Sequence, residues 1–275
     1  MQSLVMVLIA VVVAAVPGGA SPAWKVLGPG LEYAAVSLPS AGGRAASLHV
    51  VRVDPARAEL CAETAAQLDG RSRTASDWRR ERGLAVAINL GMFLDDGLTH
   101  VGYLRNEGRQ LASWRGDYKA AVGLRPTRAG LPPAKWVDLD HPGARDSLRD
   151  YALAVQNLRI VRADRHVVWS RQPKRWSEAA LAVDGQGRLL LLFCRESLSM
   201  AELARRLLAA PLDMRGLMHL EGGPEASLSI HAGGVDLDLC GSYETDFRED
   251  DTNAVQWPIP NVLGVRAKPK EGVNR

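Results

Sequence analysis

The alternation of apolar and polar residues along the chain predicts many strands and few helices. Residues 46–53 (ASLHVVRV) are rich in β-branched side chains and end at Asp54-Pro55, which predicts a strand closed by a turn. Residues 84–90 form an apolar run typical of a buried strand. Two hairpins are predicted farther along, within residues 158–169 and within residues 180–193, because short apolar stretches there flank turn residues.

Two segments have the pattern of helices. Residues 74–82 open with a capping threonine and stop at Gly83, as a short helix does. Residues 200–210 follow Ser199, whose spacing to Glu202 is that of a capping box, and a proline ends them. Both segments are therefore predicted to be helical.

The remaining pattern indicates one domain. Residues 124–148 carry four prolines and are predicted to be a long surface excursion, whereas residues 217–220 predict a short strand before a glycine turn. No repeat or low-complexity linker interrupts residues 24–267, which are predicted to form a single domain followed by a polar tail, residues 268–275. The predicted fold class is α+β, with a mixed, largely antiparallel twisted sheet and a few flanking helices.

The N-terminal segment has the features of a secretory signal. The apolar run from Leu4 to Val16 is short for a transmembrane helix, and Pro17 breaks it ahead of several small residues. Residues 1–23 are therefore predicted to be a cleaved signal peptide, with an uncleaved anchor as the alternative. The mature chain is expected to be exported, periplasmic or secreted, and to have no membrane span.

Composition and motifs exclude several classes of function. The 275 residues include 34 Lys and Arg against 31 Asp and Glu, and this net charge of +3 is too small to predict a nucleic-acid-binding face. Cys61, Cys194 and Cys240 form no C-x-x-C pair, which argues against a zinc site, and an exported chain could pair any two of them. Phosphate-binding, zinc-protease, nucleophile-elbow and dinucleotide-binding motifs are absent from the sequence, so no cofactor is expected. The sequence does not predict the oligomeric state.

Two polar segments that follow apolar strands carry the candidate chemistry. In residues 87–102 (AINLGMFLDDGLTHVG), Asn89 lies within an apolar run, where its amide must find hydrogen-bond partners. Such an amide either braces the backbone or binds a substrate oxygen. His100 is either a structural histidine or a proton-transfer group, and Asp95-Asp96 most simply form a turn.

The second segment, residues 219–229 (HLEGGPEASLS), has a carboxylate at a strand end before two glycines. Glu221 at that position is a candidate base, nucleophile or metal ligand. The alternative is a carboxylate that only caps the backbone N–H groups of its own turn.

Together these segments resemble the phosphodiester glycosidase family. Residues 89–93 (NLGMF), followed by Gly102, are similar to the family's Asn-x-Gly-x-Phe strand end and the glycine after it. Residues 220–225 (LEGGPE) resemble its Leu-Asp-Gly-Gly-Gly-Ser motif, and residues 260–265 (PNVLGV) resemble its closing strand. The order and spacing of these pieces extend the resemblance from about residue 45 to residue 267.

The chain departs from the family pattern at several of these positions. Glu221 replaces the usual Asp, and residues 224–225 (Pro-Glu) replace Gly-Ser. An Arg-Thr pair of many relatives corresponds here to residues 178–179 (Glu-Ala), and Arg175 is a candidate substitute for that arginine. The acidic segment 236–251 is predicted to be a solvated loop, with a calcium site as the alternative.

The resemblance implies hydrolysis of a sugar-1-phosphodiester at its glycosidic C1–O bond, which releases the sugar and a phosphomonoester. The expected partner is thus a sugar-phosphate or glycan substrate. Glu221 is the expected carboxylate at C1, where it activates water or attacks directly, and Asn89 and His100 are the other expected catalytic residues. The substrate is expected to contact a further set of glycines and charged residues: Gly91, Gly102, Gly222, Gly223, Glu225, Arg105 and Arg175.

Two other functions stay open at this point. A non-catalytic glycan-binding envelope protein on the same fold would use some of the seven tryptophans as stacking surfaces. A metal-dependent phosphodiesterase would require Asp95, Asp96, His100 and Glu221 to converge on one ion.

Overall fold

The computed structural model of the chain describes residues 21–38, 45–170 and 172–266. The predicted tail, residues 268–275, and most of the predicted signal segment, residues 1–23, lie outside this part of the chain. Within the described residues, no helix is long and apolar enough to cross a membrane.

Strands are the main regular secondary structure of the described residues, which also contain two α-helices. The helices are α1 (Ala75–Glu81) and α2 (Met200–Ala209). The strands, in chain order, are β1 (Lys25–Gly28), β2 (Leu31–Leu38), β3 (Ala46–Val53), β4 (Glu59–Thr64), β5 (Val86–Asn89), β6 (Leu104–Asn106), β7 (Arg109–Ala112), β8 (Ala120–Pro126), β9 (Ala134–Asp138), β10 (Tyr151–Asn157), β11 (Arg159–Val161), β12 (Trp176–Asp184), β13 (Leu189–Leu198), β14 (Met214–Gly222), β15 (Ser227–Ala232), β16 (Val235–Cys240) and β17 (Asn261–Arg266).

The described strands form three sheets. The first has the order β1-β2-β3-β13-β12-β14-β11, the second β7-β6-β10-β8-β9 and the third β16-β15-β5-β17-β4. Every strand pair in them is antiparallel. The expectation of a largely antiparallel protein with few helices is confirmed. The structure is more β-rich than the predicted α+β class implies, and its strands form three sheets rather than one mixed sheet. Parallel pairs are absent from these sheets, because a parallel pair needs a long crossover and two short helices supply few of them.

The core lies among the three sheets. Phe193 of the first sheet, Leu153 of the second and Ile88 of the third belong to one hydrophobic cluster. A second cluster lies between the first sheet and α2, where Leu192 and Leu203 are buried. Because both faces of the first sheet are covered, its central strand β13 is a continuous apolar run rather than an alternating one.

Several local predictions are confirmed. The strand over residues 46–53 is β3, the two helices are α1 and α2, and the hairpin within residues 180–193 is β12 with β13. Thr74 and Ser199 cap the two helices, since each side chain accepts a hydrogen bond from the backbone N–H three residues ahead.

One local prediction is wrong. Residues 124–148 are not a surface excursion, since they contain β9, which pairs with β8. The prolines of this segment are misleading: Pro126 ends β8 and the next two prolines precede β9, and a strand tolerates a missing N–H at such positions. The hairpin predicted within residues 158–169 is present as a short one, in which Val161 and Val167 form a bridge and the N–H of Val168 donates to the carbonyl oxygen of Ile160.

The three cysteines are unpaired. Cys61, Cys194 and Cys240 are free and buried. Burial raises the pKa of the Cys61 thiol to about 12, which keeps it protonated and unreactive at neutral pH.

We expect Phe193→Ala to destabilise the fold strongly, because Phe193 is 1% exposed in the core shared by the three sheets. A buried phenylalanine truncated to alanine costs roughly 3–5 kcal/mol of unfolding free energy. Phe247→Ala is the matched control, since Phe247 is 62% exposed and loses little burial. Urea unfolding of both variants measures the difference, and equal losses would contradict this description of the core.

Candidate active site

The chain passes from the first sheet to the third through residues 222–227, directly after Glu221. Asn89, at the end of β5, holds this crossing. Its Nδ2 donates to the carbonyl oxygen of Glu225 at 3.0 Å, and its Oδ1 accepts from the N–H of Ser227 at 2.8 Å. The Asn89 amide therefore fixes the backbone next to Glu221, which is the bracing role that the sequence left open.

Glu221 itself is buried at the end of β14. It is 6% exposed, and its Oε1 accepts from the N–H of Gly222 at 3.1 Å, whereas its Oε2 has no hydrogen bond within the described residues. Burial raises the pKa of Glu221 to about 8; Glu225 and Glu178 add to the increase, and His219 opposes it. The carboxyl group of Glu221 is therefore mostly protonated at pH 7.

A buried ion pair lies near Glu221. Nδ1 of His219 is 2.7 Å from Oε1 and 2.9 Å from Oε2 of Glu178, and Nε1 of Trp176 donates to the same carboxylate at 2.7 Å. Burial alone would lower the pKa of His219, but the Glu178 carboxylate raises it above its usual value. Burial also raises the pKa of Glu178, which His219 and Trp176 partly offset, so each partner of the pair compensates part of the other's loss of solvation.

Sequence analysis missed His219 and noted Glu178 only as a departure from the family pattern. His219 and Glu221 are two residues apart in β14, but the register against β12 shifts between them, with His219 opposite Ala180 and Glu221 opposite Ala179. Because of this bulge, the spacing of the two residues does not direct their side chains to one face, and the sequence has no local signal for His219. Glu178 lies on the neighbouring strand, where it pairs with Gly222.

A cleft of about 460 Å³ opens at Glu221. One wall comes from the segment after β5, where Phe93 and Leu94 lie, and Phe247 contributes from the loop after β16. Among the described residues that line the cleft there is no Arg, Lys or His. The lining residues are Met92, Phe93, Leu94, Asp95, Gly97, Val101, Glu221, Glu225, Glu244 and Phe247.

Glu244 brings another carboxylate to the cleft. It belongs to the acidic segment 236–251, which begins as β16 and is therefore not simply the solvated loop that the sequence predicts. The Glu244 carboxylate packs against the α-carbon of Gly223, at the place where a β-carbon would lie. Gly223 also has a φ of +62°, so both its conformation and this contact favour glycine.

Comparison with known proteins identifies the family of the chain. The sequence model of the phosphodiester glycosidase family matches residues 82–266, more than half of the chain. The chain belongs to the phosphodiester glycosidase family. The resemblance stated from the sequence motifs is thereby confirmed. No functionally curated protein matches the chain.

Two solved structures illustrate the fold that this chain shares with other proteins. The catalytic domain of zebrafish N-acetylglucosamine-1-phosphodiester alpha-N-acetylglucosaminidase, auto-inhibited by its pro-peptide, is 15% identical, with a TM-score of 0.65 over 90% of this chain and 89% of that chain. A hypothetical protein from Synechocystis is 15% identical, with a TM-score of 0.59 over 87% of this chain and 62% of that chain. At this level of identity, the likeness shows the fold alone.

The two arginines expected to contact the substrate do not line the cleft. Arg105 donates through Nη2 to backbone carbonyl oxygens within residues 148–151 at 2.6–3.1 Å. Arg175 donates to the carbonyl oxygen of Ser197 and lies 3.6 Å from the carboxylate of Glu202. Both guanidinium groups thus contact the protein itself, and their role in substrate binding stays a prediction.

His100, Gly91 and Gly102 are also outside the cleft lining. His100 is 3% exposed, and its Nδ1 donates to the carbonyl oxygen of Gly102 at 2.8 Å. Burial lowers the pKa of His100 to about 4, so the ring is neutral at pH 7. Gly91 packs against the side chains of His100 and Asn157, and Gly102 packs against the carbonyl oxygen of Gln156. Of the ten predicted site residues, Glu221 and Glu225 line the cleft.

The four residues of the metal hypothesis do not converge on one point, since Asp95 and Glu221 line the cleft whereas Asp96 and His100 do not. Asp96 accepts hydrogen bonds from the N–H groups of Leu98 and Thr99 and so caps its own turn. His100 is buried and hydrogen-bonded to the backbone. Within residues 21–38, 45–170 and 172–266, no group of three or more His, Cys, Asp or Glu side chains could hold a metal ion.

We expect His100 to make the fold less stable in acid. Its pKa is about 4 in the folded chain against an ordinary value of 6.5, so the unfolded chain binds more protons between these pH values. The contribution of a neutral His100 is thus complete above pH 6.5 and falls by roughly 3 kcal/mol as the pH decreases to 4. Urea unfolding of the unmodified protein and of His100→Gln, at pH 7 and pH 4.5, measures this loss.

His100→Gln lacks the titrating ring and is expected to lose less stability between the two pH values. The control is His231→Gln, which replaces a side chain that is 63% exposed and should retain the pH dependence of the unmodified protein. An unchanged pH dependence in His100→Gln would contradict the assignment.

Proposed function

We propose that the protein hydrolyses the glycosidic bond of a sugar-1-phosphodiester and releases the sugar and a phosphomonoester. Membership of the phosphodiester glycosidase family supports this reaction class. The observation that carries the proposal is the buried Glu221 carboxyl group, which lines the cleft and has one oxygen free of hydrogen bonds within the described residues. A buried carboxyl group in a cleft is the usual arrangement for proton transfer to a leaving oxygen.

In this reaction Glu221 acts as the general acid. Its pKa of about 8 leaves it protonated at neutral pH, which differs from the ionised carboxylate expected from the sequence, because burial disfavours the charge. As the bond between C1 and the phosphate oxygen breaks, the proton of Glu221 moves to that oxygen. A water molecule then supplies the new hydroxyl group at C1.

Glu225 is the proposed base for that water. It lines the same cleft, it is partly buried, and its carboxylate has neither a hydrogen bond nor an ion pair within the described residues. It accepts one proton of the attacking water while Glu221 releases its own. Asn89 is the positioning residue for Glu221 and Glu225, because its amide fixes the backbone that connects these two residues to β15.

We also propose export, on the apolar run from Leu4 to Val16 and the small residues that follow it. Expression of the whole chain in a bacterial host should yield a mature protein outside the cytoplasm that starts close to Trp24. Intact-mass measurement of the periplasmic or secreted fraction tests this. A full-length chain recovered only from the cytoplasm would contradict it.

Glu221→Gln should reduce turnover of an α-N-acetylglucosamine-1-phosphodiester by about 100-fold or more, because the amide keeps the shape but has no acidic proton to give. Glu81→Gln is the matched control, since this carboxylate lies on the exposed surface of α1 and is expected to leave turnover unchanged. Product formation in ¹⁸O-labelled water, followed by mass spectrometry, measures both rate and bond cleavage. The label should appear in the sugar.

Three results would contradict the proposed function. The label in the phosphate, with sugar-1-phosphate as product, would mean cleavage on the phosphorus side. Near-normal turnover in Glu221→Gln would remove Glu221 from the chemistry. Binding without turnover across a panel of sugar-1-phosphodiesters would favour a glycan-binding protein. The pH profile adds a further readout, because kcat/KM should fall as the pH rises through about 8 and Glu221 loses its proton.

A further inference from the structure

The charge of the cleft is unusual for a protein that handles phosphate. Asp95, Glu221, Glu225 and Glu244 line it, and no basic side chain does so among the described residues. Glu178 stands at the position that corresponds to the arginine of many relatives, and its carboxylate is hydrogen-bonded to His219. A phosphodiester with no other charge would therefore enter a region of negative potential and be repelled.

Glu225 and Glu244 are also unpaired. Elsewhere in the chain partly buried carboxylates such as Glu63 and Glu202 form ion pairs with arginines. The carboxylates of Glu225 and Glu244 have no hydrogen bond or ion pair within the described residues, although each is partly buried. Burial raises the pKa of both, and the charge of Glu244 raises that of Glu225 further, which shows that the two lie within electrostatic reach of each other.

The backbone is shaped around one of these carboxylates. The Glu244 side chain occupies the space over the α-carbon of Gly223, so any other residue at 223 would displace it. Glu221 adds a second, independent sign of a ligand. Glu221 is 94% buried and lines the same cleft, and one of its carboxylate oxygens has no hydrogen-bond partner in the described residues.

The walls of the cleft are apolar and partly open to solvent. Phe247 is 62% exposed and Leu94 is 42% exposed, and Phe93 lies in the same lining. An aromatic face next to carboxylates is a favourable environment for an organic cation. The alkyl part of the cation contacts the ring, and the positive charge is attracted by the ring and by the carboxylates.

We propose that the substrate is a sugar-1-phosphodiester whose alcohol group carries an alkylammonium ion, with that ion bound by Glu244 against Phe247 while Glu225 stays free to act as the base. This inference rests on the proposed function and specifies its substrate class. The positive group compensates the phosphodiester charge and supplies the partner that the Glu244 carboxylate lacks. An ammonium ion fits better than a metal ion, because no metal-holding group exists among the described residues.

A matched pair of substrates tests the proposal. One is the 2-aminoethyl diester of α-N-acetylglucosamine-1-phosphate, and the other is its propyl diester, which has nearly the same shape without the charge. We expect kcat/KM to be about tenfold higher for the aminoethyl substrate at low salt, and the preference to shrink in 0.5 M NaCl. Equal values, or a preference for propyl, would overturn the inference and leave the proposed function intact.

Two variants locate the cation. Glu244→Gln should reduce the ratio of kcat/KM for the aminoethyl substrate to kcat/KM for the propyl substrate several-fold, because the amide no longer attracts the ammonium ion. Glu249→Gln is the matched control, because Glu249 is an exposed residue of the same loop that does not line the cleft. An unaltered preference in Glu244→Gln would overturn the placement of the cation.

A binding measurement separates this inference from the proposed function. If neither substrate is hydrolysed, the proposed function fails, and calorimetry with the two corresponding non-hydrolysable phosphonates then decides the inference. Tighter binding of the aminoethyl phosphonate, lost in Glu244→Gln, supports the cation site without turnover. Equal affinities, or no binding of either phosphonate, would overturn it.

Discussion

The crossing of the chain from the first sheet to the third is the constraint on which the cleft depends. Two hydrogen bonds from the Asn89 amide connect the end of β5 to this crossing, at the carbonyl of Glu225 and the N–H of Ser227. These two hydrogen bonds fix the short turn between β14 and β15, and thereby the positions of Glu221 and Glu225 at its two ends. Gly223 completes the arrangement, because its positive φ bends the chain and its missing side chain admits Glu244.

The carboxyl groups of the site differ in their electrostatic surroundings and therefore in how their charge is compensated. Glu178 is compensated by His219, whereas Glu221 is buried without a cation of its own and holds its proton instead. Unpaired acids in a partly buried cleft reduce the free energy of unfolding, and proteins retain such groups mainly where function needs them. The site is thus recognised by the contrast between its unpaired acids and the paired acids elsewhere on the chain.

The sequence was most informative where the evidence was local. Capping residues located α1 and α2, β-branched runs located β3, and a glycine turn located the hairpin of β12 and β13. The ordered motifs also indicated the family and Glu221. The partition into three sheets depends on long-range pairing, which no local pattern encodes, and prolines at strand ends concealed β9. Likewise, His219 and Glu244 reach the site only through pairing with β12 and packing on Gly223.

The pairing of β17 has a consequence for how the protein is made. This strand lies between β4 and β5 in the third sheet. One of the two strands that pair with β5, which carries Asn89, therefore comes from a segment far along the chain. Contacts of such high sequence separation form slowly. During synthesis, β5 therefore leaves the ribosome long before its partner, and the third sheet closes only after residue 266 has emerged. The backbone around Asn89 thus lacks one of its two flanking strands until β17 has been made, and the third sheet is among the last parts of the described chain that can fold.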